Sequence, residues 1–501
     1  MQQGQEKLVR SISSSEMEAI ITAQSPWRDG SMRFHRSSRI LLERQLADIL
    51  WRQIAQAPIT QHSRHRVISG PRRVGKTTLL RHLAQRLVRD AHVSSEMVVY
   101  ISMDETALSG QRLDTVLERI IKLTGATVGN PAFVLADEIA YAEHWDRALK
   151  IAYDDPERYP VRIVATSSSA IEMTRGIHES GAGRWLHHFL FPCQFSEQAY
   201  IARRPLPQTG FSGTTLAEML TSIPQGLESS RDMREALDEF SVSGGFPEGV
   251  YQLDAPEERA AWVREHYYNL REAVVKVTRV DIPQMFRLRY PEKPGELLYL
   301  LAQQPCGLLN LDNLSKDLGI TKPTTESIFG YLEDAMVLFR LPNYTGEARK
   351  AKKGYFYDNA MVAALSYQTR ETILAQGRGW ALENMVGAAL FELVKQSQFG
   401  TRLFHCREND KEIDFILDEG TGSPPLAIEV GSSVRHGISS IMYLLKRHPK
   451  FAGSAYLVTP DTVADHSGEI KTLPLAEFLL AVEQRKSILM RERIGYRKEK
   501  P

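Results

Sequence analysis

Gly70-Pro71-Arg72-Arg73-Val74-Gly75-Lys76-Thr77, followed by Thr78, fits the pattern G-x-x-x-x-G-K-[ST] at every fixed position. These residue types at this spacing suit a chain of phosphates. Gly70 and Gly75 let the backbone curl so that successive N–H groups face one point. A helix beginning near Lys76 adds the positive end of its dipole. Lys76 would neutralise phosphate charge, and the Thr77 hydroxyl would ligate Mg²⁺ beside a nucleoside triphosphate such as ATP.

Two further strand ends supply partners for that chemistry. In "FVLADEIAY" an apolar run delivers Asp137 and Glu138 at its C-terminal end, where ligands collect in open α/β sheets. Asp137 can hold Mg²⁺, while Glu138 can polarise the attacking water. In "VRIVATSSSA", Thr166 or Ser167 could hydrogen-bond the γ-phosphate or the water. An ordinary Ser/Thr turn explains that stretch equally well.

The elements that must position these residues are legible as a pattern. "RVIS" precedes the glycine loop, and "MVVYISMD", "AFVLADE" and "VRIVATSSS" alternate with helical stretches. Short β-branched runs separated by helices predict a parallel sheet covered on both faces. Upstream, "RILLERQLADILWRQIAQ" spaces Ile40, Leu41, Leu46, Ile49, Leu50 and Ile54 as one face of a helix. The chain turns mostly helical from about Pro192 to Tyr290, and again from Pro294 to Phe339. It returns to α/β with predicted strands in "YFYD", "EIDFIL", "PLAIEV" and "SAYLVTP". The fold class expected is α/β. It comprises an N-terminal helical segment (1–60), a P-loop core with a parallel sheet (61–192), a helical lid (193–290) and a winged-helix-like part (291–350). An α/β domain (351–485) and a basic tail (486–501) follow.

Bulk properties narrow the setting. A chain of 501 residues exceeds one ordinary core. Its formal net charge of +1 gives no global pull toward nucleic acid, so any such surface must be local. Cys193, Cys306 and Cys406 lie far apart without a CxxC pair, which speaks against a zinc site and for a reducing compartment. His62, His65, His187 and His188 lack metal-ligand spacing. With neither a long apolar run nor a signal-like N-terminus, a cytoplasmic protein with no membrane partner is expected.

"SGPRRVGKTTLLRHLA", "FVLADEIAYAEHWDRALKIAYDD", "VRIVATSSSA", "GGFPEGV", "YLEDAMVLFRLPNY" and "GYFYDNAMVAAL" together resemble prokaryotic AAA-superfamily ATPases of the archaeal type. The likeness runs from about His65 to Val458. It implies an ATPase core with Lys76, Thr77, Asp137 and Glu138 in the roles above and Thr166 as the polar sensor. The family's "GR" matches Gly183-Arg184. That implies Arg184 as an arginine addressing the γ-phosphate, in cis or from a neighbouring subunit, and hence a homo-oligomer or a protein partner.

"LLNLDNLSKDLGITKPTTESIFGYLEDAMVLFRL" reads as helix, turn through Gly319, helix and strand, with Leu311, Leu314, Leu318, Ile328, Leu332 and Met336 as its core. The second helix would present Lys322, Thr324, Thr325 and Ser327, and a wing would carry Arg349, Lys350, Lys352 and Lys353. Such a surface would bind double-stranded DNA through phosphates, with weak sequence preference. Packing on the ATPase or on a partner is the other reading. The C-terminal order "RGWALENMVGAALFELV", "KEIDFIL", "PLAIEVGSS" is similar to the PD-(D/E)xK nuclease core. That resemblance implies Glu383, Asp414 and Glu429 as a degenerate metal site. The position of the family's lysine is Gly431, so cleavage is expected to be lost unless Arg435 or Lys446 substitutes. The expected function is an ATP-driven switch or motor acting on DNA or a DNA-bound partner. An ATP-gated metal-dependent nuclease and a nucleotide-binding scaffold are the alternatives.

Overall fold

The computed structural model describes residues 12–29, 45–56, 65–89, 91, 93–167, 184–202, 206, 210–250, 256–344, 351–397, 400–409, 411–431 and 434–492. Two compact units divide the chain, Met1–Leu190 and Phe191–Pro501.

In the first unit, helices α1 (Ser14–Gln24) and α2 (Gln45–Gln56) precede a βα alternation. It runs β1 (His65–Ser69), α3 (Lys76–Arg89), β2 (Val98–Ser102), α4 (Leu113–Thr124), β3 (Ala132–Asp137), α5 (Trp145–Asp154), β4 (Val161–Ser167) and β5 (Trp185–Phe189). The strands form one sheet in the order β2-β3-β4-β1-β5. Every pairing is parallel, as the fully buried β1, β3 and β4 require of a sheet covered on both faces. Leu79, Leu80, Leu83, Ala84 and Leu87 form the buried stripe of α3. In α2, Leu46, Leu50 and Ile54 are buried as their spacing predicts, while Ile40 and Leu41 lie outside the described residues.

The N-terminal segment is part of this same core, with Met17 and Ile21 buried beside Val99 and Ile101. It also closes the edge of the sheet. Ser25 Oγ accepts from the Tyr100 amide (2.8 Å) and donates to the Tyr100 carbonyl (3.0 Å). Trp27 Nε1 donates to the Val98 carbonyl, and the Ser102 amide donates to Gln24 Oε1. Backbone groups that an edge strand would otherwise present are thus satisfied by side chains.

The second unit begins with helices α6 (Phe195–Ile201), α7 (Leu216–Thr221), α8 (Arg231–Ser243) and α9 (Pro256–Lys276). Then come α10 (Lys293–Gln303), α11 (Leu311–Leu318) and α12 (Lys322–Asp334), with β6 (Leu338–Leu341) and β7 (Lys353–Phe356). Helix α13 (Arg378–Gln396) leads into a mixed sheet of β8 (Arg402–Glu408), β9 (Lys411–Asp418), β10 (Leu426–Val430), β11 (Ala455–Thr459) and β12 (Ile470–Pro474). Helices α14 (Val434–Arg447) and α15 (Leu475–Glu492) complete it. The sheet order is β12-β11-β10-β9-β8. The "YFYD" strand differs from expectation. Its residues to Phe356 pair antiparallel with β6, Phe339 opposite Tyr355, and belong to a separate two-stranded sheet. Among the described residues no helix is long and apolar enough to cross a membrane.

Candidate functional site

The glycine loop sits at the C-terminal end of β1, and two of its residues could be nothing else. A Cβ on Gly70 would lie 2.4 Å from the Leu190 carbonyl oxygen, because the Leu190 amide donates to Ser69 and draws the two chains together. Gly75 has φ 94°, in the left-handed region that favours glycine. Arg73 also takes a positive φ, 66°. Lys76, on the first turn of α3, donates to the carbonyls of Gly70 and Pro71, both at 2.8 Å. Burial lowers the pKa of this ammonium to about 8, opposed by the charges of Glu138 and Asp137.

Asp137 is the junction of the site. Its Oδ2 accepts from the Thr77 hydroxyl at 2.6 Å and from Tyr100 OH at 3.0 Å. Its Oδ1 accepts from the Thr166 hydroxyl. The sheet order makes this possible. β4 lies between β1 and β3, so Thr166 stands beside Asp137, and β2 lies on the other side, where Tyr100, opposite Leu135, reaches Asp137 with its hydroxyl. Glu138, immediately past the strand, has φ 51°, an uncommon conformation that breaks the strand's alternation. Thr77 and Asp137 are adjacent hard oxygen donors, and Lys76 lies against the glycine loop through the carbonyls of Gly70 and Pro71. The donor set therefore fits a Mg²⁺-nucleotide. Tyr100 was not found from sequence. Its only signal is its register beside Leu135, two residues before Asp137.

Residues 62–199 match the family model described as AAA domain. That match spans the glycine loop and the strands that carry Asp137 and Thr166. Residues 234–372 match a second model, a domain of unknown function, DUF8612. An uncharacterised protein of Methanocaldococcus jannaschii is 25% identical over 425 residues, covering 83% of this chain and 84% of that one. Among solved structures, a Walker-type ATPase of Pyrococcus abyssi is similar at 13% identity and TM-score 0.39, over 66% of this chain and 97% of that chain. The ORC2 protein of Aeropyrum pernix is similar at 14% identity and TM-score 0.38, over 71% of this chain and 98% of that chain.

Within the first unit, Arg184 lies away from the loop. It directly precedes β5, which runs parallel to β1 with Trp185 opposite His65 and Phe189 opposite Ser69. Arg184 therefore stands at the N-terminal edge of the sheet, whereas the loop leaves its C-terminal edge. Four strand steps of about 3.3 Å put the two edges roughly 13 Å apart. Its Nε donates to Asp154 Oδ1 at 3.2 Å. Arg184 thus stands at the opposite edge of the sheet from the glycine loop of its own chain. Of the other expected residues, Ser167 ends β4 and is buried, and Gly183 lies outside the described residues.

In the second unit, α11, the turn through Gly319, α12 and the β6–β7 hairpin form a helix-turn-helix with a hairpin. Leu318, Ile328, Leu332 and Met336 are buried as expected, and Leu311 and Leu314 half-buried. Its polar face is thinner than the sequence suggested. Thr325 is buried, its hydroxyl hydrogen-bonded with Ser315, so it is a core residue. Lys322 pairs with Asp312, Lys352 with Glu326, and Ser327 with the Pro323 carbonyl. Arg340 bridges Glu326 and Glu333. Arg349 and Lys350 fall outside the described residues.

Lys353 is not a basic side chain of a wing. It is 3% exposed and contacts Glu383, Glu412 and Asp414. Glu383 on α13, Asp414 on β9 and Glu429 on β10 are brought together, the Asp414 amide donating to Glu429 Oε2 at 3.3 Å. Burial and the neighbouring Asp414 charge push both glutamates well above the usual carboxylate range. Among the described residues, no group of three or more His, Cys, Asp or Glu is arranged to hold a metal ion. Gly431 adds only its amide, donated to the Val458 carbonyl. Lys446 is exposed on α14, and the Arg435 side chain is outside the described set. Sequence reasoning missed Lys353 and Glu412, because the lysine comes from a strand far upstream in the chain.

Proposed function

We propose that the chain is an ATP-hydrolysing switch. Lys76 and the backbone from Gly70 to Thr78 bind the β- and γ-phosphates, Thr77 and Asp137 hold Mg²⁺, and Glu138 polarises the attacking water. Magnesium supplies charge neutralisation at the phosphates. The observation that carries this reading is Asp137, one carboxylate joined to Thr77 from the loop's helix and to Thr166 from the adjacent strand. A change at the γ-phosphate felt by Thr166 is thereby felt at the Mg²⁺ ligands.

Arg184 acts on a neighbouring subunit's nucleotide, which its position at the far edge of the sheet supports. The working form is then a homo-oligomer. The helix-turn-helix favours duplex DNA, or a partner bound to it, as the object of the switch. With Thr325 buried and Lys322 and Lys352 paired, contact would be to phosphates, weak in sequence preference and salt-sensitive. Residues 193–290 would act as a lid. The winged-helix part extends to Phe356, since β7 completes its hairpin. The C-terminal sheet is read as a non-cleaving PD-(D/E)xK-like core, supported by the meeting of Glu383, Asp414 and Glu429.

The test is phosphate release from ATP with and without duplex DNA, with Glu138→Gln as control. DNA stimulation supports a DNA-coupled switch. DNA-indifferent turnover leaves a protein partner as the object, and no turnover in any condition overturns the hydrolytic reading.

A further inference from the structure

A buried ammonium is costly unless paired and hydrogen-bonded. Lys353 meets that demand completely. Its Nζ lies 2.6 Å from Glu383 Oε1 and 3.1 Å from Asp414 Oδ1, and also contacts a Glu412 carboxylate oxygen. An ammonium has three N–H donors, and three carboxylates from two elements, α13 and β9, take them. The lysine itself comes from a third element, β7.

Its placement is fixed by backbone on both sides. Strand β7 pairs with β6 along one edge. On the other, the Gly354 amide donates to the Gly307 carbonyl at 3.0 Å and the Leu309 amide to the Lys352 carbonyl at 2.8 Å. Tyr355, two residues on and so on the same face, donates its hydroxyl to Glu383 Oε1 at 2.8 Å. The carboxylates are held just as firmly. Asp414 Oδ2 accepts from the Val430 amide at 3.0 Å, and Glu412 also faces Arg407 at 3.6 Å. Each carboxylate thus gives one oxygen to Lys353 and has a second protein partner beside it, Tyr355 for Glu383, the Val430 amide for Asp414 and the Arg407 cation for Glu412.

We propose that Lys353 is the resident cation of this cluster: its ammonium stands where acidic side chains of such a core would gather a divalent ion, and it fastens the β6–β7 hairpin to the C-terminal sheet. A monovalent ammonium whose three donors are engaged cannot hold a water for attack on phosphorus. The core is built to stand without a metal, and its role is to bind or to support rather than to cut. This inference rests on the cluster's geometry and holds whether or not the AAA domain hydrolyses ATP.

The test uses the full chain carrying Asp137→Asn, without nucleotide, so that the phosphate site contributes no metal binding. Melting temperature is measured with and without millimolar Mn²⁺. The parent should be indifferent to Mn²⁺. Lys353→Met should melt lower and recover by about 5 °C or more with Mn²⁺, and adding Glu383→Gln should remove that recovery. A parent stabilised by Mn²⁺ through Glu383 overturns the proposal, as does a folded Lys353→Met indifferent to the ion. Should Lys353→Met fail to fold in either condition, the parent decides. Stabilisation by Mn²⁺ that Glu383→Gln abolishes overturns the proposal, and indifference upholds it.

Discussion

The Thr77 hydroxyl donates to Asp137 Oδ2 at 2.6 Å, joining residues 60 apart in the chain. One belongs to the helix that follows the glycine loop and the other to a strand two places away in the sheet from the strand that precedes that loop. Removing either side of this pair should disable Mg²⁺ rather than nucleotide. Asp137→Asn is expected to lower Mg²⁺-dependent turnover by at least about 10²-fold while metal-free ATP binding survives. Isothermal titration with and without Mg²⁺ separates the two, and a variant with unchanged turnover removes Asp137 from the site.

Glu138 is tested differently, since its proposed role is with water. Glu138→Gln should keep ATP affinity and lose about 10²-fold or more in phosphate release. Lys76→Ala should lose most of the affinity itself. An active Glu138→Gln protein would sink the water-polarising assignment.

Arg184 and Glu138 should complement each other between chains. Arg184→Ala alone is expected to bind ATP normally and turn over slowly. Mixed with Glu138→Gln, it should regain a fraction of wild-type turnover, because hetero-oligomers then contain an intact site facing an intact arginine. No recovery on mixing argues against action between subunits.

Tyr100 orients Asp137 and touches no phosphate in the proposed arrangement. Tyr100→Phe should weaken Mg²⁺ several-fold, raising the Mg²⁺ concentration needed for half-maximal turnover, and leave saturated turnover nearly unchanged. A fall in turnover at saturating Mg²⁺ would mean that the hydroxyl does more than hold a carboxylate.

Asp358 gives a pH prediction. It is buried, accepts from the amides of Gly245 (2.6 Å) and Ala360 (2.8 Å), and burial raises its pKa to about 7. With the folded value above the unfolded one of 3.8, its contribution is full below pH 4 and declines as pH rises to about 7. Asp358→Asn keeps one of the two acceptor oxygens and removes the titration, so the comparison is of how melting temperature changes with pH rather than of its absolute value. Its melting temperature should fall less than the wild type's between pH 5 and pH 7.5, and an identical profile would refute the assignment.

The first unit was legible because its signals are local. Glycine spacing, the Lys-Thr pair and an apolar strand ending in Asp-Glu are each written in a few consecutive residues, and parallel strands advertise themselves as continuous β-branched runs. The misreadings came from long-range pairing. Strand β7 was assigned to the C-terminal sheet, since nothing in "YFYD" says that its partner is "LFRL". Lys353 looked like one more cation in a basic stretch, since its three carboxylates lie 30 to 61 residues downstream. Thr325 looked like a reading residue because its helix position was visible and its neighbour Ser315 was not. For Arg184 the residue was visible, but the edge of the sheet on which it sits depends on strand direction.

The hydrogen bonds from Ser25, Trp27 and Gln24 to β2 carry a consequence for assembly. A parallel sheet with an open flank can recruit another chain's strand, and copies then stack through backbone into ribbons that do not close. Here the chain supplies its own stopper, since side chains from Gln24 to Trp27 take up backbone groups of Val98, Tyr100 and Ser102 along that flank. A copy docking on that flank would meet side chains rather than a row of free backbone groups.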